Sequence, residues 1–224
     1  MATITTKETR DFNWANPGVL KVGDEITETL KDGCEVVFVV MDEGVIGLKN
    51  CLREEHRMNN DWTNKGGWEA TEMRRYLNED VFAVLPDELQ AIIKPRTLGS
   101  GEHTFEDKLW LFSEVEIFGE QDWTEKEPDR GTQLEYFKDC CNRIKLDADG
   151  DAAYYWWERS PKASSSDHFC AVNSNGGASV SNANFLWGVC FGFYISKKKE
   201  SSNERLDGQC KKPICLQWSE QSFR

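Results

Sequence analysis

Histidine, paired cysteines, positive charge and long apolar runs are all scarce in this sequence, and each shortage narrows what the chain can do. The three histidines, His56, His103 and His168, stand in no motif with a serine or cysteine nucleophile, so no acid–base machinery is readable. Eight cysteines are present, at 34, 51, 140, 141, 170, 190, 210 and 215, but none forms a C-x-x-C pair. Together with the shortage of histidine, that argues against a zinc site. No stretch is long and apolar enough to span a membrane. The opening MATITTKETRDFNWANPG lacks the basic-then-apolar layout of a secretion signal. The chain is therefore expected to be made in the cytoplasm, with thiols that are free and mostly buried. Lys and Arg number 27 against 39 Asp and Glu, a net charge of -12, which argues against nucleic acid or an anionic membrane as the main partner. An acidic surface also serves plain solubility.

Core material is ample: 39% of the 224 residues are hydrophobic and nine are Trp, enough for one sizeable domain with appendages. The expected division is an N-terminal arm over 1–20, a domain over 21–196 and a tail over 197–224. Phe12 and Trp14 suggest that the arm docks, or pairs late as a strand. In the tail, Ser196–Ser202 reads as solvated linker and Pro213–Trp218 as a segment able to dock back.

The chain is organised around Tyr154–Ile195, YYWWERSPKASSSDHFCAVNSNGGASVSNANFLWGVCFGFYI. Its ends are aromatic. In Gly188–Ile195, Val189, Phe191, Phe193 and Ile195 fall on one face and Gly188, Cys190, Gly192 and Tyr194 on the other, the period of a strand. Tyr154–Trp157 is a second strand candidate, ended by Ser160-Pro161. Between them, Phe169–Val172 reads as a short strand and Asn175-Gly176-Gly177 as a turn. The polar middle has the character of a loop that displays binding residues between rigid strands. It also has a pattern in the genetic code. Ser, Asp, His, Ala, Gly, Val, Phe and Leu are all reachable from the codon AAC by changing adenines alone. Such residues occupy Ser164, Ser165, Ser166, Asp167, His168, Ala171, Gly177, Ser179, Val180, Ser181, Phe185 and Leu186. Asn173, Asn175, Asn182 and Asn184 would be unchanged codons, and Trp187 lies outside the pattern.

Elsewhere, Glu35–Met41 reads as a central strand and Val45–Lys49 as its hairpin partner. Met73, Leu77, Val81 and Leu85 recur every fourth residue, an apolar stripe on a helix over Glu69–Leu85. Pro86 opens a second helix whose Leu89, Ile92 and Ile93 face inward, and Lys94-Pro95 ends it. Thr97–Asp107 reads as a Gly-rich loop, Lys108–Phe118 as a strand and Gln121–Arg130 as an exposed loop. Thr132 and Glu135 form a capping box opening a helix with Leu134, Phe137, Cys141 and Ile144 buried. Cys140-Cys141 is expected on that helix with one thiol buried. Asp147, Asp149 and Asp151 alternate, but the glycine and the bidentate glutamate of a calcium loop are misplaced, so a solvated acidic turn is expected. No metal and no cofactor is predicted.

Six segments carry a resemblance: Asn59–Leu77 (NNDWTNKGGWEATEMRRYL), Leu85–Pro95 (LPDELQAIIKP), Leu109–Gly119 (LWLFSEVEIFG), Trp156–Pro161 (WWERSP), Phe169–Asn175 (FCAVNSN) and Gly188–Ile195 (GVCFGFYI). Together they resemble a bacterial and bacteriophage domain family of unknown function, found in variable proteins of diversity-generating retroelements. The resemblance spans roughly 21–196. It implies an α+β, C-type lectin-like fold with two or three helices packed on a mixed, mostly antiparallel sheet. It also implies a variable region, about 162–187, rewritten by adenine-directed mutagenesis into new ligand-binding surfaces that work without calcium. Consistent with that, the Glu-Pro-Asn type of motif by which calcium-dependent lectins hold sugar is missing.

The candidate site comprises the twelve adenine-reachable residues named above, the four asparagines and Trp187. Phe185, Leu186 and Trp187 are expected to anchor the ligand. Asp167, His168 and the asparagines are expected to select it. The expected partner is an unknown protein or cell-surface ligand, reached in a virion or at a cell surface. Neither nucleic acid nor membrane insertion is expected, and no catalysis. Two rivals are a fixed structural component of a phage virion and a formylglycine-generating-type oxidase. The oxidase would need Cys170 and Cys190, on neighbouring strand candidates, to approach each other.

Overall fold

The computed structural model describes residues 2–5, 10–100, 103–119, 123–124 and 131–195. The tail beyond residue 195, including Pro213–Trp218, and most of the 121–130 loop lie outside the described residues. The class is α+β, with few helices and antiparallel sheets. The strands are β1 (Thr3–Thr5), β2 (Arg10–Asp11), β3 (Glu25–Thr29), β4 (Glu35–Asp42), β5 (Val45–Leu48), β6 (Ile93–Lys94), β7 (Arg96–Ser100) and β8 (His103–Asp107). They continue as β9 (Trp110–Leu111), β10 (Lys145–Leu146), β11 (Ala153–Tyr154), β12 (Trp156–Pro161), β13 (His168–Val172), β14 (Ala178–Asn182) and β15 (Phe191–Ile195). The main sheet runs β2-β1-β3-β4-β5-β15-β6, with β9 also paired to β15. A second sheet, β12-β13-β14, carries the polar middle of the sequence. No helix among the described residues is long and apolar enough to cross a membrane.

The central strand β4 and its hairpin partner β5 form as their apolar patterns predict. The N-terminal stretch supplies β1, antiparallel to β3, and buries Phe12 and Trp14. Trp14 donates its indole N–H to Glu28 Oε2 at 2.6 Å and packs edge-on against Phe38 and Phe193. The late strand β15 sits in the middle of the main sheet because both its faces are covered. Phe191 and Phe193 point into the aromatic core. On the other face, Gly192 lies opposite Gly47 of β5, and the Phe112 ring fills the space over the pair. A Cβ on Gly192 would sit 2.6 Å from Phe112 Cζ. Gly192→Ala is therefore expected to cost about 1–3 kcal/mol by overpacking, read as a lower midpoint in urea unfolding.

The stripe Met73, Leu77, Val81 and Leu85 is buried throughout. An α-turn (Glu72–Tyr76), capped by the Thr71 side chain on Arg74 N, continues into a π-helical turn (Leu77–Val81) and a last α-turn (Phe82–Val84). An every-fourth-residue stripe drifts by about 40° per step around a helix of 3.6 residues per turn. The wider π-turn brings it back onto the core. Leu85 is extended before Pro86, and a short helix (Asp87–Ile92) follows.

Three expectations are corrected. The Gly-rich stretch 97–107 is a hairpin, β7 with β8, in which Leu98 faces Phe105. Residues 108–118 are not one strand: after β9 the chain turns at Ser113 into a helix (Glu114–Phe118) closed by a capping box between Ser113 and Glu116. Every residue from Leu109 to Ile117 is buried, so alternation there carried no information about faces. The helix expected from Thr132 is two 3-10 turns, Glu135–Lys138 and Cys140–Arg143. They are separated because Asp139 is extended and its carboxylate accepts from Cys141 N. Phe137 is buried as expected, but Cys140, Cys141 and Ile144 are exposed.

Candidate functional site

The site rests on β12. Trp156, Trp157, Glu158, Arg159 and Ser160 are all buried, although three of the five are polar. Burial of that kind requires partners. Arg159 Nη1 donates to Leu111 O at 3.0 Å and to Glu116 Oε2 at 2.5 Å, while Arg96 holds the other oxygen of Glu116 at 2.5 Å. Burial alone would raise the Glu116 carboxyl, but the two guanidiniums overcome it and hold the group below its ordinary value of 4.5. The Ser160 hydroxyl accepts from Glu114 N, and Thr124 donates to Glu114 Oε2. The WWERSP segment is thus a rivet between the two sheets.

On that base β13 pairs β12 on one side and β14 on the other, with His168 opposite Asn182 and Val172 opposite Ala178. As the middle strand, β13 is enclosed: Phe169, Cys170, Ala171 and Val172 have no exposure. Ala171 is therefore removed from the displayed residues; it packs in the core between Trp157 and Ser179. Ser181 is also buried, and its hydroxyl accepts the Trp187 indole N–H at 2.8 Å. Ser164, Ser166, Asn175, Phe185 and Leu186 are exposed. Ser165, Asp167, His168, Asn173, Gly177, Ser179, Val180, Asn182, Asn184 and Trp187 are half-buried.

These residues do not form one patch. A five-residue strand of about 3.4 Å per residue separates the two ends of the β13–β14 hairpin. At the far end, Asn173 accepts from Asn175 N and Gly177 N through its side-chain oxygen, and Gly176 adopts a φ of 77°. Asn173 builds the turn there rather than facing a ligand. At the near end lie Ser164–His168 and Ser179–Trp187, held together by Ala183 N donating to Asp167 O.

The near end is locked by backbone. Residues 183–189 run alongside the loop after β5. Leu52 N donates to Val189 O, Asn59 N to Ala183 O, and His56 and Trp187 exchange N–H and carbonyl bonds. Arg57 Nε donates to Asn184 O, and the Trp157 indole N–H donates to His56 O. From this ground rises a run of rings. Tyr155 stacks on Trp187 at 4.9 Å, Trp187 meets Phe185 at 6.4 Å, and Phe185 meets Trp62 edge-on at 6.5 Å. Trp62 is 60% exposed, and Phe185 and Leu186 are 44% exposed each.

Trp62 was not found from sequence. Its one signal was a lone Trp in the polar run NNDWTN, and nothing announced that it would meet Phe185. Trp187, in contrast, is more frame than display, packed against the core and bonded to Ser181. Trp187→Ala is expected to cost about 2–3 kcal/mol, below the 3–5 kcal/mol of a fully buried Trp. Denaturant unfolding followed by circular dichroism would measure it.

Beside the rings, Asn64 ties down the other loop by donating through Nδ2 to Ser165 O and His168 O. Within that loop, Ser165 Oγ lies 2.9 Å from His168 Nδ1 and 2.5 Å from Asp167 Oδ1. Asp167 Oδ1 is 2.6 Å from the same ring nitrogen. A nucleophile relay uses opposite nitrogens of the imidazole for serine and carboxylate. Here both crowd one nitrogen, so the trio braces the loop. Hydrogen bonds from Ser165 and His168 hold the Asp167 carboxyl below its usual range.

The matched stretch of one family description covers 35–190. The chain belongs to the family "Domain of unknown function (DUF6273)". The match begins at β4 and reaches Cys190, so the whole candidate site lies inside the family domain. No curated protein and no solved structure matches the chain.

Of the thiols, Cys170 lies on β13 in the smaller sheet, whereas Cys190 lies beside β15 and donates to Leu48 O at 3.1 Å. β13 and β15 are not neighbours, contrary to expectation. Burial pushes the Cys190 thiol up. Among the described residues, one group brings potential metal donors close together, Asp139 with Cys140 and Cys141 at the surface. The neighbouring Asp139 charge pushes the Cys141 thiol up, which keeps it protonated.

Proposed function

We propose that this DUF6273 protein is a ligand-binding protein, with a C-type lectin-like scaffold presenting a tolerant surface around 162–187 to a protein or cell-surface partner. One observation carries the reading: Trp62, Phe185 and Leu186 stand exposed together on ground whose backbone is paired on both sides. Large exposed apolar side chains that cluster mark interaction sites. A support already ordered leaves little entropy to lose on binding. Ser164, Ser166 and the half-buried Asp167, His168 and Asn182 supply a polar rim of the kind that surrounds such anchors.

Adenine-directed diversification is the second half of the proposal. The run of residue types reachable from AAC supports it, as does the exposure of Ser164, Ser166, Phe185 and Leu186 within that run. Buried Ala171 and turn-building Asn173 would be the positions where the template is least free to change. The oxidase alternative is disfavoured by the separation of β13 from β15 and by the protonated, enclosed Cys190 thiol.

Sequencing the DNA around the coding region tests the proposal. The expected finding is an imperfect repeat of the segment for 162–187, differing only at adenines, beside a reverse transcriptase gene. A neighbourhood with no such repeat would remove the diversification, leaving a fixed binding surface.

A further inference from the structure

A second recess lies apart from this surface. The β3–β4 turn, the loop after β5, the helix over 72–84 and the turn at 148–150 enclose a cleft of about 500 Å³. Its floor is apolar, made by Leu30, Val36, Leu48, Leu52, Val81 and Val84. Tyr76 forms part of the wall, its ring stacked at 4.2 Å on His56. The charges around it are one-sided. Asp32, Glu35, Glu54, Asp80 and Asp149 face Arg53 alone, and Arg53 is already paired with Asp149 at 2.8 Å. None of the seventeen candidate site residues lines this cleft.

We propose that this cleft binds a small organic cation with an apolar body, an alkyl- or arylammonium ion. The volume is within the range of small-molecule sites, and the floor offers the apolar contact that such sites use. The excess of carboxylates attracts a cation and repels an anion. The Tyr76 ring adds an aromatic face beside that negative charge. Burial, and then Glu54, Asp80 and Asp32, push the Tyr76 hydroxyl up to about 12, in keeping with three of those carboxylates acting on one point in the wall. A bare metal ion is a poorer fit. No three of these carboxylates bring oxygens within 4.8 Å of one another, the surface group at Asp139 being the one such trio among the described residues.

The test is calorimetric titration of the full chain with 4-phenylbutylammonium, the uncharged 4-phenylbutanol and the anionic 4-phenylbutyrate. Saturable binding of the ammonium is expected, about ten-fold or more tighter than the alcohol, with none for the carboxylate. Glu54 and Asp80 are exposed, so the double variant Glu54→Gln, Asp80→Asn is expected to fold. It should weaken ammonium binding by about 5- to 20-fold, from two exposed charge contacts. Val84→Trp, which fills the cleft, should abolish binding, while Phe185→Ala should leave it unchanged. Absence of saturable ammonium binding up to about 10 mM would overturn the proposal. So would equal affinity for the alcohol, or an undiminished affinity in the double carboxylate variant. Because Phe185→Ala acts on the ring surface alone, loss of that surface's function leaves this result standing.

Discussion

Replacing Arg159 by Met is expected to cost about 3–5 kcal/mol of stability, the range for breaking a buried ion pair by removing one partner. Arg159 is 2% exposed and binds the carbonyl of Leu111 and the carboxylate of Glu116. Removing it strands a buried carboxylate with Arg96 as its remaining cation and frees the turn at Ser113. The pH dependence follows with a definite sign. The folded Glu116 carboxyl lies below its ordinary value of 4.5, with burial opposing and Arg159 and Arg96 dominating. Its stabilisation is therefore complete above that ordinary value and is lost as pH falls through the folded one. Glu116→Gln should be less stable at neutral pH and show a flatter acid limb below pH 4.5 than the parent chain. Urea unfolding across that range measures both. A loss under about 1 kcal/mol for Arg159→Met would mean that the rivet between the sheets is not structural.

Truncating Trp62, Phe185 and Leu186 together to Ala is expected to leave the midpoint of unfolding almost unchanged and to reduce binding of a selected protein target by about 100-fold or more. The reason lies in exposure. All three are exposed, and the backbone on either side of them is tied down at Asn59, Asn64, Ala183 and Trp187 by bonds that do not involve their side chains. Surface plasmon resonance against a target selected from a panel of purified surface proteins reads the affinity, and calorimetry reads the fold. Trp187→Ala differs in lowering stability as well as binding, because its indole is bonded to Ser181 and stacked on Tyr155.

What the sequence made legible was whatever depends on local periodicity. The strand Glu35–Asp42, the stripe from Met73 to Leu85, the strand before Asn173 and the turn at Gly176 were readable because each is a short apolar run or stripe bounded by turn or helix-stop residues, Asp42–Gly44, Pro86 and Asn173–Gly177. Residues 108–118 were not legible: with 109–117 enclosed on every side, alternation of apolar and polar positions carries no information about faces, and the chain breaks at the capping box of Ser113 and Glu116. The hairpin 96–107 was hidden because its sequence is Gly-containing and polar, although Gly99 lies within β7 opposite Thr104. At the site, the exposure of Phe185 and Leu186 was legible. Trp62 was not, since the contact joins residues more than a hundred positions apart. Nor was the burial of Ala171, which follows from β13 being the middle strand of three.

The decisive measurement is a displayed library in which Ser164, Ser166, Asp167, His168, Asn182, Phe185 and Leu186 are randomised together, scored for folding and then panned against a panel of unrelated proteins. If these positions are a display surface on a rigid base, most members should fold and different targets should enrich different side-chain sets. Widespread unfolding, or enrichment of nothing beyond the parental residues, would mean that the surface belongs to the architecture of the domain and not to recognition.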